Sequence, residues 1–139
     1  MVLQYMRKYD NFCKALNNLN VIRTFEEPYS IVELSSFVAL FVICFELSWK
    51  LMKEILESNG YFTHKTGSAK IIINSAYQCG MINDEKCWLD ILETRNLLSH
   101  VYDEDEVRSA LGKSKEKLID AFEKLKSNID DNWLETDGS

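Results

Sequence analysis

The sequence predicts an all-α fold, an up-and-down four-helix bundle with an extra short helix. Three observations carry that expectation. Apolar residues recur at three- and four-residue steps along most of the chain, the spacing of one helix face. One proline and five glycines in 139 residues leave little punctuation for many short strands. Pro28, Asn59-Gly60 and Gly80 fall between the periodic stretches.

Leu3, Met6, Tyr9, Phe12, Cys13, Leu16 and Leu19 form the apolar face of a first helix. Pro28 stops its continuation, so residues 20 to 32 read as a connection with room for a turn of helix. A long second helix is expected from about Leu34 to Ser58. Its stripe is Leu34, Phe37, Val38, Phe41, Cys44, Phe45, Ser48, Met52, Ile55 and Leu56. Leu40, Val42 and Trp49 fall outside that stripe, so this helix is covered on more than one face, which a partner chain can supply. Asn59-Gly60 ends it. Tyr61 to Gly67 is a loop. Ser68 then caps a short helix carrying Ala69, Ile72, Ile73 and Ala76, closed by Gly80. Asn83 or Asp84 starts the next helix, with Trp88, Ile91, Leu92 and Arg95 on one face. Asp103 and Glu106 make a D-x-x-E start for the last helix, which runs to about Ile129. Residues 1–134 read as a single domain, and 135–139 as a frayed tail.

Hydrophobic residues make up 46% and charged residues 27%, as in a soluble globular protein. A formal net charge of −6 excludes a surface built for bulk nucleic-acid binding, so any RNA contact needs a local basic spot, for which Lys50, Lys53, Lys65 and Lys70 are candidates. The longest apolar run, Phe37 to Phe45, is ended by Glu46, well short of the roughly 20 residues a membrane span requires. Met1 to Leu19 carries charges among its apolar positions and does not read as a signal peptide. No membrane association is expected, and the reading is cytoplasmic. Cys13, Cys44, Cys79 and Cys87 form no C-x-x-C pair and read as free thiols. No metal and no cofactor is expected.

One segment carries candidate chemistry. Arg95-Asn96-Leu97-Leu98-Ser99-His100-Val101-Tyr102 places a permanent cation, one of the chain's two histidines and a phenol within eight residues. Arginine is a fixed fork for phosphate oxygens, and histidine exchanges protons near neutral pH. An RNA phosphodiester is cleaved when its own 2′-OH attacks phosphorus. That reaction needs proton transfer, which His100 can supply, and positive charge at the phosphorane, which Arg95 can supply. Tyr102 is placed to contact a phosphate or to be modified. On a regular helix Arg95 and His100 lie roughly 140° apart, so they do not meet. Either the helix ends between Ser99 and Asp103 and frees His100 to turn, or two protomers assemble the site. The competing reading is a short pattern arising by chance, with Arg95 and His100 as a cap and a surface charge.

The chain resembles the HEPN-domain family of nucleotidyltransferase substrate-binding proteins, which includes the HepT-like toxins of HepT–MntA modules. The resemblance spans roughly residues 10 to 125. It rests on Phe45-Glu46-Leu47-Ser48-Trp49-Lys50, on Ala76-Tyr77-Gln78-Cys79-Gly80-Met81-Ile82, on Trp88 to Asn96, and on Arg95, His100 and Tyr102 in an R-x4-H-x-Y arrangement. It implies a helical bundle that homodimerises and an RNA-cleaving site built from Arg95 and His100 of both subunits. It also implies a cognate minimal nucleotidyltransferase, the antitoxin, that silences the toxin by adenylylating the tyrosine matching Tyr102. Two departures stand out. Val42 occupies a position near which members often carry an acid, and Gly67-Ser68-Ala69 replaces a Ser-Pro helix start.

Glu46 and Lys50 are four apart and read either as a solvated pair or as a polar floor under the site. Trp49 reads as core or dimer interface against a base-stacking platform, and Trp88 as core. Asn96 either orients a phosphate or caps a turn. His64 reads as a solvated loop residue. Asp103-x-Asp105 lacks a nearby Gly-Ser helix start, so intrinsic nucleotidyl transfer is rejected. Two alternatives to the ribonuclease remain: a non-catalytic substrate-binding subunit of a two-component nucleotidyltransferase, and a helical interaction protein without phosphate chemistry.

Overall fold

Ser30-Ile31-Val32-Glu33 is a capping box, and it starts the long helix three residues before the first residue of the apolar stripe. The Ser30 hydroxyl accepts from the Glu33 amide at 3.1 Å, and the Glu33 carboxylate accepts from the Ser30 amide at 2.9 Å. In the computed structural model, which describes residues 5–61, 67–100 and 103–134, the regular structure of the described residues is all helical, as expected. Helix α1 spans Met6–Leu19 and is followed by a 3-10 turn, Asn20–Thr24. Helix α2 spans Ile31–Ser58, α3 Ala69–Gln78 and α4 Glu85–His100. Helix α5, Glu104–Lys113, passes through one π turn, Ser114–Leu118, into α6, Ile119–Asn132, with helical dihedrals at both joints. The single last helix expected from the sequence is therefore a rod with one widened turn. The expected tail, 135–139, lies outside the described residues.

The termini follow the expected chemistry. The Ser68 hydroxyl accepts from the Ile71 amide, and Asp84 Oδ1 accepts from the Cys87 amide. Asp103 Oδ1 accepts from the amides of Asp105 and Glu106. Three further acids in that first turn face the positive end of the helix. Gly60 and Gly80 close α2 and α3 with φ of +76° and +84°, which a side chain would strain.

Helix α2 is the axis of the bundle and packs against α1, α3, α4 and α5, while α6 returns against α1. Helix α3 is the extra short helix, lying alongside α2 and α4. Phe122 ties the layers together. Its ring meets Trp88 edge-on at 5.3 Å and Phe41 edge-on at 5.9 Å, with Phe12 at 6.5 Å. Asp90 on α4 binds Lys113 at 2.9 Å and faces Lys117 at 3.6 Å, fixing α4 against the last rod.

By length and mean hydropathy, 2.0 over its most apolar stretch, α2 is the one described helix long and apolar enough to cross a bilayer. Glu46 interrupts the apolar run without interrupting the helix. One side of α2 is the core stripe, with every residue expected there buried except half-covered Val38. The opposite side is open and, between Val32 and Leu47, mostly apolar apart from Ser35, Ser36 and Glu46. Val32 is 69% and Ile43 52% exposed, Ala39 is exposed, and Leu40 and Leu47 are only half covered.

Candidate active site

Arg95 projects from the middle of α4 toward α2, where the Phe45 ring receives it. The guanidinium carbon lies 5.0 Å from the ring centroid, within cation–π range. Arg95 Nη1 donates to Glu46 Oε2 in a close ion pair. The other carboxylate oxygen, Glu46 Oε1, accepts from the Trp49 indole N–H at 3.0 Å. Arg95 Nε is buried and meets no acceptor. The side chains of Arg95 and Glu46 are 24% and 27% exposed. A guanidinium carries five N–H donors. Among the described residues Glu46 takes one of them, which leaves donors that an anion could meet.

Glu46 therefore does not belong to Lys50. The i,i+4 pair that the sequence offers is not the ion pair that forms. Lys50 is exposed, and its ammonium instead lies 6.0 Å from the centre of the Trp49 ring. Trp49 is half-buried and neither pure core nor a bare stacking surface. Its hydrogen bond to Glu46 was within reach of sequence reasoning, since E-x-x-W on a helix puts both side chains on one face.

His100 is the last residue of α4 and is exposed. The helix is continuous from Arg95 to His100, so the two stand about 140° apart around the axis and about 7.5 Å apart along it. On that arithmetic the two do not share a face within one chain. Asn96, also exposed, shares the His100 face at an i,i+4 spacing, so it is His100 and not Arg95 that it accompanies. Tyr102, His64 and Lys65 lie outside the described residues. Of the other lysines in the suggested basic spot, Lys53 is half-covered on α2 and Lys70 exposed on α3. Trp88 is core, as expected. Among the described residues no group of three or more His, Cys, Asp or Glu side chains stands ready to hold a metal. All four cysteines are free. Burial pushes each thiol up from its ordinary value, that of Cys44 furthest.

Comparison with known proteins gives concordant results. The family model described as "nucleotidyltransferase substrate binding protein like" matches residues 7–131. A curated protein of Haemophilus influenzae, described as probable ribonuclease HepT, is 28% identical over 102 residues, 70% of each chain. A crystal structure from Thermus thermophilus superposes with a TM-score of 0.73 at 25% identity, covering 85% of this chain and 98% of that one.

Proposed function

We infer that this chain, which belongs to the nucleotidyltransferase substrate-binding protein-like family, is a HepT-like toxin that cleaves RNA without a metal ion. Its Haemophilus relative is described as a probable ribonuclease. The observation that carries the reading is the Glu46–Arg95 ion pair. A guanidinium stacked on one side chain and tethered by another is a preorganised cation, set to meet charge developing on a phosphorane. His100, exposed at the end of the same helix, gives and takes the proton. Asn96 lies on its face to orient the phosphate. Lys50 supplies positive charge on α2, beyond Glu46.

Regular helix geometry sets Arg95 and His100 on different faces of α4, and the working site proposed here takes groups from two copies. The open apolar side of α2 is the surface for the second copy. On a helical wheel it is continuous with the position of Glu46. Burying Val32, Ala39, Ile43 and Leu47 there would cover the face left bare in a single chain and bring two sets of site residues toward one seam. The proposed form is a homodimer in the cytoplasm.

The remaining partner is a cognate minimal nucleotidyltransferase acting as antitoxin. Adenylylation of Tyr102, two residues from His100, would place a bulky anion beside the phosphate site and block it. The test is incubation of the purified toxin with that enzyme and ATP. The expected result is a gain of adenylyl mass on Tyr102 together with loss of RNA cleavage. Cleavage undiminished after full modification overturns this regulation.

A second reading, a non-catalytic substrate-binding subunit, is favoured by one feature. A cleft of about 750 Å³ lies between α4 and α6, lined by Cys87, Leu89, Lys117 and Lys124 among others, and Arg95 does not line it. Under that reading His100→Ala leaves function intact.

A further inference from the structure

We propose that Trp49 is a positioning residue for Arg95, acting through the Glu46 carboxylate; this rests on the ribonuclease reading of Arg95. Few contacts hold the guanidinium. Arg95 Nε is buried without an acceptor, so no hydrogen bond at that end fixes the group. The Phe45 ring lies against it, with the guanidinium carbon 5.0 Å from the ring centroid. Among the described residues its one side-chain hydrogen bond runs from Nη1 to Glu46 Oε2.

The tether is only as well oriented as the carboxylate. The last torsion of a glutamate is broad and roughly two-fold, so an isolated carboxylate does not choose a direction. Here the Trp49 indole N–H, at 3.0 Å, occupies Oε1 and leaves Oε2 for Arg95. Trp49 follows Glu46 by three residues on one rigid helix, so the donor is supplied from the scaffold itself. The Lys50 ammonium, 6.0 Å from the centre of the indole ring, adds a weak cation–π contact that favours the same ring position. A phenylalanine at 49 would keep most of the bulk and lose only the donor.

The test uses the purified full chain with Trp49→Phe, Glu46→Ala and the double variant, read in two ways. The first reading is nuclear magnetic resonance of the side-chain N–H groups. Trp49→Phe is expected to shift or broaden the Arg95 Nε–H signal, and to leave it unmoved where Glu46 is already alanine. The second is RNA cleavage kinetics. Trp49→Phe should lower kcat about tenfold, the lower range for losing a hydrogen bond to a charged group, with KM changed less than about twofold. In the Glu46→Ala background it should cost almost nothing more, because the two act as one unit.

An Arg95 signal indifferent to Trp49→Phe overturns the proposal. So does an equal further loss of cleavage in the Glu46→Ala background, which would make Trp49 an independent contact to RNA or to a second copy. No cleavage by the parent chain, with the Arg95 signal still coupled to Trp49, separates the two claims: the ribonuclease reading fails, and Trp49 is then the keeper of an ion pair with no catalytic task.

Discussion

Glu46 reaches from α2 to Arg95 on α4, 49 residues further along the chain, and passes over the lysine one turn away on its own helix. A carboxylate whose side chain is only 27% exposed costs burial energy unless it is paired. Arg95 and Trp49 together satisfy both of its oxygens. The pair is partly exposed, so its value to stability is modest and its value to geometry larger.

Glu46→Gln should separate those two contributions. The amide keeps the size of the side chain and removes the charge. Thermal or urea unfolding is expected to change by about 1 kcal/mol or less. RNA cleavage is expected to fall at least about tenfold, through a misdirected Arg95. Equal cleavage by both proteins would show that Arg95 needs no anchor.

Ile43→Glu places a charge on the open apolar side of α2, where Ile43 is 52% exposed. The fold should be unaffected, since surface changes usually stay within about 0.5 kcal/mol. Sedimentation analysis is expected to show a dimer for the parent and a monomer for the variant, with RNA cleavage lost alongside. An unchanged sedimentation coefficient would place the partner elsewhere.

Phe122→Ala removes the ring that Trp88, Phe41 and Phe12 share. Truncating a fully buried phenylalanine costs about 3–5 kcal/mol. For a chain of this size that corresponds to a fall in Tm on the order of 10 °C. Circular dichroism melts of the variant beside the parent check it.

The thiols set a pH dependence. Burial raises all four above their ordinary value, so the folded chain holds protons that the unfolded chain gives up. Stability should therefore be indifferent to these groups at neutral pH and fall as pH rises above about 8.5, where unfolded thiols ionise. Denaturant midpoints measured from pH 7 to 10 read this directly. Cys44→Ala, at the most deeply buried thiol, should lower stability at neutral pH and flatten the alkaline slope.

Much of this architecture was legible because helices announce themselves locally. The stripe from Leu34 to Leu56 and the caps at Ser68 and Asp103 need only neighbours within a turn or two. The Ser30–Glu33 box was equally local, but it precedes the apolar stripe that marked the start of α2. The π turn at Ser114–Leu118 has no short-range signal of the kind a cap or a proline gives. The partner of Glu46 was not legible for a different reason. Sequence offers Lys50 four residues away, whereas Arg95 is brought close only by the packing of α4 on α2. The end of α4 between Ser99 and Asp103 was legible from the Asp103 cap, and α4 does end there, with His100 as its last residue; the offset of Arg95 from His100 around the helix was legible from helical arithmetic.

The most direct measurement of the central claim is cleavage of RNA by the purified, unmodified chain beside a folded His100→Ala variant, with the ends of the products analysed. Cleavage by the first and not by the second is expected, leaving 2′,3′-cyclic phosphate ends. Cleavage by both alike, or by neither while intact mass shows Tyr102 unmodified, would contradict it.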